Sequence, residues 1–212
     1  MTLLHEQAWS EAPSDGSPVL VLLHGRGSDM HDLLGLRPGL PSELPLVTPQ
    51  APFPGGPWGY GPGWAWYRYV SDDRVVPETL ERSLDAVDTF LDQLPDILGV
   101  EPGPIVLGGF SQGGTTSLAY MLTRPGRIAL AANFSGFLVS DPPMAPGPGE
   151  ERTPLFWGHG LLDPAIPHAL AIRGRQRLVE MGVAVTERDY PIGHGIVAEE
   201  LADFSAWMTA GF

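Results

Sequence analysis

Short apolar-rich runs recur along the chain, most of them bounded by glycine, proline or charged residues. Continuous apolar runs are typical of strands that are buried on both faces of a parallel sheet. The clearest run is Val19–Leu23, and the pattern also predicts strands at 46–48, 104–107, 128–132, 154–157 and 183–189. Residues 3–9 form a weaker candidate for an edge strand.

A helical period is clearest in residues 78–98. Apolar residues recur there every three or four positions, at Leu80, Leu84, Val87, Leu91 and Leu94. Acidic residues occupy the other face and Pro77 stands at the start, as is common for an amphipathic surface helix. The sequence therefore predicts one helix over 78–98, and further helices at 112–123, 167–181 and 196–208.

Predicted strands and helices alternate along the chain, without an internal repeat or a shift in composition that would mark a linker. This order is typical of an α/β fold, with a mainly parallel sheet covered by helices on both faces. The length of 212 residues suits a single domain, which we expect to span 1–212. The proline- and glycine-rich stretch 141–150 lies between two predicted strands and is interpreted as a surface loop.

Composition narrows the classes of function. The net charge of −13 argues against binding to nucleic acids and to anionic membrane surfaces. The chain has no cysteine, which excludes disulfides and a cysteine nucleophile. No apolar run approaches the length of a membrane span and no signal pattern begins the chain, so we expect a cytoplasmic location without stable membrane association. No spacing of histidines and carboxylates predicts a metal site.

The sequence Gly-Phe-Ser-Gln-Gly at 109–113 follows a predicted strand and precedes a predicted helix. A strand that ends in Gly-x-Ser-x-Gly and turns directly into a helix is the nucleophile elbow of α/β-hydrolases. In such an elbow the serine hydroxyl projects from the carboxyl end of the sheet, and the helix directs its free N–H groups to the same point. Ser111 is therefore the candidate nucleophile, and a glycine-rich turn without catalytic meaning is the alternative.

A serine hydroxyl needs a base, and the base needs an orienting carboxylate. Three histidines follow Ser111, and only His194 lies in a loop between the last predicted strand and the last predicted helix. Gly193 and Gly195 flank it, and we expect them to let this loop approach Ser111. His159 and His168 are interpreted as structural or exposed.

The candidate acid is Asp163, which lies in the loop after the predicted strand 154–157. Pro164 follows it and should keep it out of helical geometry. The order Ser, Asp, His along the chain is the order of the α/β-hydrolase triad. Asp141 and Asp189 are the rival acids, and a turn or capping role is the alternative for Asp163.

Two backbone N–H groups are expected to form an oxyanion hole. One belongs to Gln112, the residue after the nucleophile, and the other to the loop after an early strand. In the early loop, the N–H of Arg26 is the predicted donor, whereas His24 is interpreted as a structural member of the loop. Residues 49–64 are rich in proline, glycine and aromatics. Trp64 at the end of this segment and Trp66 just beyond it are predicted to bind substrate along a shallow groove. The alternative is that these aromatic residues only pack the loop onto the body.

Four segments carry a resemblance to a known family: LHGRGSD at 23–29, LGGFSQGG at 107–114, HGLLDPAIP at 159–167 and YPIGHG at 190–195. They resemble the carboxylesterase/phospholipase family of α/β-hydrolases, which includes the acyl-protein thioesterases. The arginine at position 26 gives the sequence HGRG, which resembles a prokaryotic subgroup of this family. The resemblance implies an α/β-hydrolase fold without a large lid, a triad of Ser111, Asp163 and His194, and oxyanion donors at Arg26 and Gln112. It implies no cofactor.

Together these features predict a serine hydrolase that cleaves small-molecule carboxylic esters of short to medium acyl chains. Acyl-thioesterase or lysophospholipase activity is one alternative. A hydrolase fold that only binds a ligand or a protein is another. For the oligomeric state, a homodimer stands as an alternative to a monomer.

Overall fold

The computed structural model describes residues 2–71, 73–140 and 152–212. Eleven strands lie in these residues. They are β1 (His5–Ala8), β2 (Val19–Leu23), β3 (Leu46–Pro49), β4 (Phe53–Pro54), β5 (Trp64–Ala65), β6 (Tyr69–Ser71), β7 (Arg74–Val75), β8 (Ile105–Phe110), β9 (Leu130–Phe134), β10 (Leu155–Gly160) and β11 (Val185–Tyr190).

The described α-helices are α1 (Pro77–Leu91), α2 (Leu94–Leu98), α3 (Gln112–Thr123), α4 (His168–Glu180) and α5 (Ala198–Ala210), and two 3-10 helices cover Asp32–Gly39 and Gly56–Trp58. None of the helices in the described residues combines the length and the apolar character that a membrane span requires.

Seven strands form the central sheet in the order β1-β3-β2-β8-β9-β10-β11. Every neighbouring pair is parallel except β1 with β3, which is antiparallel at the edge. The predicted α/β-hydrolase fold, with a mostly parallel sheet, is therefore confirmed. Strands β2 and β8 lie side by side at its centre, so the loops that leave their carboxyl ends meet at one place.

The two faces of the sheet bury separate apolar layers. Along β2, Val19, Val21 and Leu23 face a layer that includes α1, α3 and α4. The alternate residues Leu20 and Leu22 face the layer formed by α5 and the 3-10 helix Asp32–Gly39. Because both faces of β2 are covered, its five residues are apolar without alternation.

Most element boundaries differ from the prediction by one to three residues, and the larger differences have a physical cause. The helix predicted over 78–98 is two helices, because Pro95 lacks an N–H and its ring would clash with the carbonyl of residue 91 in a continuous helix. Strand β9 begins at Leu130, two residues later than predicted, and β10 continues to Gly160. Pairing with β9 and β11 on either side sets these limits for β10. The predicted loop at 141–150 lies outside the described residues, and the single domain over 1–212 stays a prediction.

Candidate active site

Ser111 lies at the sharp turn between β8 and α3. Its φ of 54° and ψ of −113° are a strained conformation for a residue with a side chain, and its N–H donates to the carbonyl of Phe134 at 2.7 Å. A Cβ at Gly109 would overlap the backbone of Gly113, and a Cβ at Gly113 would overlap the carbonyl of Leu23. The two glycines are therefore needed because the strand, the turn and the helix approach each other at backbone distance.

The predicted base lies within hydrogen-bond distance of both the predicted nucleophile and the predicted acid. Nε2 of His194 lies 2.9 Å from Oγ of Ser111, and Nδ1 of His194 lies 2.7 Å from Oδ2 of Asp163. The other carboxylate oxygen, Oδ1, accepts the N–H groups of Ala165 at 2.8 Å and Ile166 at 2.9 Å. Because a carboxylate only accepts, Nδ1 carries the proton of a neutral imidazole and Nε2 is free to accept from the serine hydroxyl.

Contacts between two loops place His194. The N–H of Leu161 donates to Tyr190 at 2.8 Å and the N–H of Leu162 donates to Ile192 at 2.9 Å, so the acid loop and the histidine loop run against each other. A Cβ at Gly160 would overlap the carbonyls of Ile192 and Gly193. Gly160 therefore permits the approach.

The prediction gave this role to the two glycines that flank His194, and the structure corrects it. A Cβ at Gly195 would meet no atom within 4 Å, and a Cβ at Gly193 would make only ordinary contacts. Gly160 was missed because it belongs to a different loop, although its place in the segment HGLLD was visible in the sequence.

The rival groups have other partners. Asp189 lies 2.8 Å from Nη1 of Arg175 and 2.9 Å from Nε2 of His168. Burial would raise the pKa of Asp189, but the hydrogen bond and charge of Arg175 outweigh it and hold the value below the ordinary range. His159 is fully buried against the carbonyl of Ile166, and burial lowers its pKa. Asp141 lies outside the described residues.

One predicted oxyanion donor belongs to the residue after the nucleophile, and the other belongs to a residue that lines the same cavity. Gln112 is the first residue of α3, so its backbone N–H has no acceptor within the helix. Arg26 and Ser111 line the same cavity. The loop that carries Arg26 is held by Gly27, whose N–H donates to the carbonyl of Trp64 at 2.8 Å. Donation by these two N–H groups to a reacting oxygen stays a prediction.

The side chain of Gln112 has a second task that the prediction missed. Oε1 accepts the N–H of Trp66 at 2.8 Å, and Nε2 donates to the carbonyl of Tyr67 at 2.8 Å. The side chain is fully buried, so these two bonds fix an otherwise irregular segment against the elbow. The sequence contained a hint of this role, because Gln112 places a polar amide at the start of a helix that the fold buries, and a buried amide needs hydrogen-bond partners.

His24 is structural, as predicted. Its Nε2 accepts the N–H of Ala51 at 3.0 Å, so Nδ1 carries the proton and donates to the carbonyl of Gly25 at 2.7 Å. Burial lowers the pKa of His24, which favours this neutral form. The residue joins the early loop to the segment after β3.

The cavity at Ser111 has a volume of about 470 Å³, within the range of small-molecule sites. It is lined by Gly25, Arg26, Ser28, Asp32, Tyr69, Ser71, Phe110, Ser111, Ala165, Ile166 and His194. The ring of Phe110 packs on His194 with 4.8 Å between the centroids. Phe110 therefore supports the imidazole from the cavity side.

Neither of the tryptophans predicted to bind substrate is among these lining residues. Trp66 is fully buried, and its Nε1 donates to the carbonyl of His24 at 2.9 Å. Trp64 pairs with the early loop through its backbone and packs against the core. Trp66 therefore supports the loop of Arg26 in place of the predicted contact with substrate. A contact of the partly exposed Trp64 with substrate stays a prediction.

Within the described ranges, no group of three or more His, Asp or Glu side chains converges in a way that could hold a metal ion.

Comparison with known proteins identifies the family. The Phospholipase/Carboxylesterase family profile matches residues 8–210. The chain belongs to this family. It is 30% identical to an acyl-protein thioesterase 1 of Neurospora crassa, over 90% of this chain and 85% of that protein. It is 28% identical to the protein of the same name from Gibberella zeae, over 93% and 92% of the two chains. Membership of the family makes the protein a hydrolase.

Solved structures agree with the fold. The crystal structure of esterase PE8 superposes with a TM-score of 0.82 at 24% identity, with all of both chains covered. The Bacillus cereus carboxylesterase gives a TM-score of 0.80 at 20% identity, covering 99% of this chain and 95% of that one. The prokaryotic HGRG subgroup of the phospholipase/carboxylesterase family stays a prediction for this chain.

Proposed function

We propose that this member of the family hydrolyses carboxylic esters through Ser111, His194 and Asp163. The observation that carries the proposal is the continuous chain of contacts, 2.9 Å from the serine oxygen to the imidazole and 2.7 Å from the imidazole to the carboxylate. The strained backbone of Ser111 supports it, since a turn that only connects a strand to a helix does not need that conformation.

In the proposed mechanism, Oγ of Ser111 attacks the ester carbonyl while Nε2 of His194 takes its proton. The backbone N–H groups of Arg26 and Gln112 stabilise the oxyanion, and His194 returns the proton to the leaving alcohol. His194 then takes a proton from water, which attacks the carbonyl of the acyl-enzyme; the bond to Oγ of Ser111 breaks, Oγ regains the proton from His194, and the carboxylic acid is released. Asp163 stays ionised throughout and holds His194 in one tautomer.

We propose substrates with short to medium acyl chains, because the cavity at Ser111 is small and is lined by polar as well as apolar residues. Thioesters are the second candidate. The relatives named acyl-protein thioesterase favour them, and the same triad would attack a thioester carbonyl. A cytoplasmic location and the choice between a monomer and a homodimer stay predictions.

Labelling with a fluorophosphonate tests the nucleophile directly, because the probe reacts with an activated serine. The wild type should be labelled and should hydrolyse 4-nitrophenyl butyrate, and Ser111→Ala should lose both while keeping its fold. Ser28→Ala is the matched control, because Ser28 lines the same cavity, and this variant should still be labelled. A wild type that resists the probe and cleaves no ester would favour a protein that only binds ligands.

A series of 4-nitrophenyl esters from acetate to palmitate, measured below and above the concentration at which the substrate forms micelles, tests the chain length. The rate should be greatest for short or medium chains, with no jump at the interface. A maximum at myristate or palmitate would refute the proposed chain length and leave the proposed ester hydrolysis standing. The same series with matched thioesters separates the two candidate activities.

A further inference from the structure

A cationic side chain without a carboxylate partner stands at the edge of the cavity that contains Ser111. Arg26 lines this cavity and is exposed. In the part of the chain that the structure describes, no Asp or Glu lies within ion-pair distance of its guanidinium. Arg124 and Arg127, by contrast, each contact two carboxylates. What distinguishes Arg26 is its place in the cavity of the nucleophile, where an exposed guanidinium can bind an anion from outside although the chain as a whole has a net charge of −13.

Two tyrosine rings hold the guanidinium. Its Cζ lies 5.0 Å from the ring centroid of Tyr60 and 5.2 Å from that of Tyr69. The phenol oxygen of Tyr60 accepts the backbone N–H of Tyr69 at 2.8 Å, and the ring of Tyr67 packs edge-on against Tyr69 at 5.3 Å. The rings are therefore held in place before any ligand binds, and cation–π contact orients the side chain without using its N–H donors.

The backbone under Arg26 is equally fixed. Gly27 has a φ of 79°, and a Cβ there would overlap the carbonyl of Tyr60. The carbonyl of Ser28 accepts the N–H of Trp64 at 2.7 Å. These contacts hold the backbone next to Arg26, so its side chain starts from a fixed position at the cavity, and the two tyrosine rings orient its guanidinium.

The surroundings leave the positive charge largely uncompensated. Burial raises the pKa of Tyr69, and although the charge of Arg26 acts in the opposite direction, the phenol stays neutral at physiological pH. Among the described residues that line this cavity, Asp32 is the one carboxylate. It forms no ion pair with Arg26 and would weaken the binding of an anion by repulsion.

We propose that Arg26 is a specificity-determining residue whose guanidinium binds an anionic oxygen group of the ester substrate, on the acyl or the alcohol side of the scissile bond. The inference rests on the proposed ester hydrolysis at Ser111. It narrows the substrate class to esters that carry a carboxylate or a phosphate a few atoms from the reacting carbonyl.

The test compares matched substrates within each variant. For the acyl side these are mono-4-nitrophenyl glutarate and 4-nitrophenyl pentanoate, and for the alcohol side 4-acetoxybenzoate and its methyl ester. The measured quantity is the ratio of kcat/KM for the charged over the neutral substrate. Using a ratio cancels any effect of a substitution on the oxyanion loop, to which Arg26 also belongs.

Arg26→Leu should lower the ratio about three- to fivefold on at least one side, which is the effect expected for a solvent-exposed ion pair. Arg26→Lys should keep part of the wild-type ratio, and Asp32→Asn should raise the ratio. Added salt should lower the wild-type ratio and leave that of Arg26→Leu nearly unchanged. The side on which the ratio responds identifies where the anion lies.

Unchanged ratios on both sides in Arg26→Leu would overturn the inference, as would an equal loss of activity on charged and neutral substrates. Hydrolysis of 4-nitrophenyl pentanoate by the wild type tests the proposed function by itself. An enzyme that cleaves this neutral ester but shows the same ratio with and without Arg26 would refute the anion site and leave the proposed function standing.

Discussion

Asp163 uses its two carboxylate oxygens for two different tasks. Oδ2 accepts the Nδ1 proton of His194 at 2.7 Å, while Oδ1 accepts two backbone N–H groups in its own loop. The side chain has no exposed area. The carboxylate is therefore fixed before it orients the imidazole, and its geometry does not depend on the substrate.

Asp163→Asn should reduce kcat on 4-nitrophenyl butyrate by about 10⁴, because an amide can donate to Nδ1 and stabilise the wrong tautomer of His194. Asp189→Asn is the matched control: Asp189 pairs with Arg175 and His168, and its loss should change kcat by less than about tenfold per folded molecule. A larger effect at Asp189 would mean that the acid has been assigned to the wrong residue.

Gly160→Ala should misplace His194, because the added Cβ would overlap backbone carbonyls of the histidine loop. A displacement of about 1 Å in a catalytic group can cost about 10²-fold in rate, and a loss of this size in kcat/KM is expected. Gly195→Ala is the control, since a Cβ there meets open space. Circular dichroism and urea unfolding would show whether Gly160→Ala keeps its fold. A folded, fully active variant would contradict the close approach of the two loops.

The groups that react could be predicted from the sequence because each is marked by its immediate neighbours. Ser111 stands in a glycine-spaced turn after an apolar run, and Asp163 and His194 follow in the order that the fold requires. Strand β2 was also predicted to the residue, because its apolar run is the direct consequence of burial on both faces.

The parts that were not predicted depend on contacts between distant segments. Gly160 matters because of a carbonyl more than thirty residues away, and the Gln112 side chain because of the backbone at Trp66. No local pattern shows such contacts. Trp66 was assigned to the substrate because aromatic residues suit a groove, but the same residues suit a core, and only the structure decides between them.

The side chain of Gln112 should matter for stability independently of its backbone N–H. Gln112→Ala leaves two buried backbone groups of residues 66–67 without partners, which should lower the free energy of unfolding by about 2–4 kcal/mol. Gln93→Ala removes a glutamine whose amide donates to the exposed hydroxyl of Thr2, and it should change the free energy of unfolding little. Urea titrations of the two variants measure the difference. Equal midpoints would refute the anchoring role.

Glu200 is a buried carboxyl in the first turn of α5. It is fully buried, and its side chain lies against the backbone of β10, where a Cβ at Gly158 would overlap Oε1. Burial raises the pKa of Glu200 to about 8, and Asp203 acts in the same direction. The backbone of Val197 and the charge of Arg175 act in the opposite direction and do not cancel the effect of burial. At neutral pH the folded protein therefore keeps this carboxyl protonated.

This protonation makes stability depend on pH. Between the ordinary pKa of a glutamate, 4.5, and the raised pKa of about 8, the folded state keeps a proton at Glu200 that the unfolded state releases. The protonated Glu200 therefore makes its full contribution to the free energy of unfolding below pH 4.5, and this contribution falls by up to about 1.4 kcal/mol per pH unit as the pH rises towards 8.

Glu200→Gln cannot ionise, so its free energy of unfolding relative to that of the wild type should increase by a few kcal/mol from pH 5 to pH 8. Urea unfolding at several pH values measures this change, with Glu199→Gln on the exposed side of the same turn as the control. If the wild type and Glu200→Gln differ by the same amount at every pH, Glu200 is ionised in the folded protein and its burial is compensated by a group other than those named above.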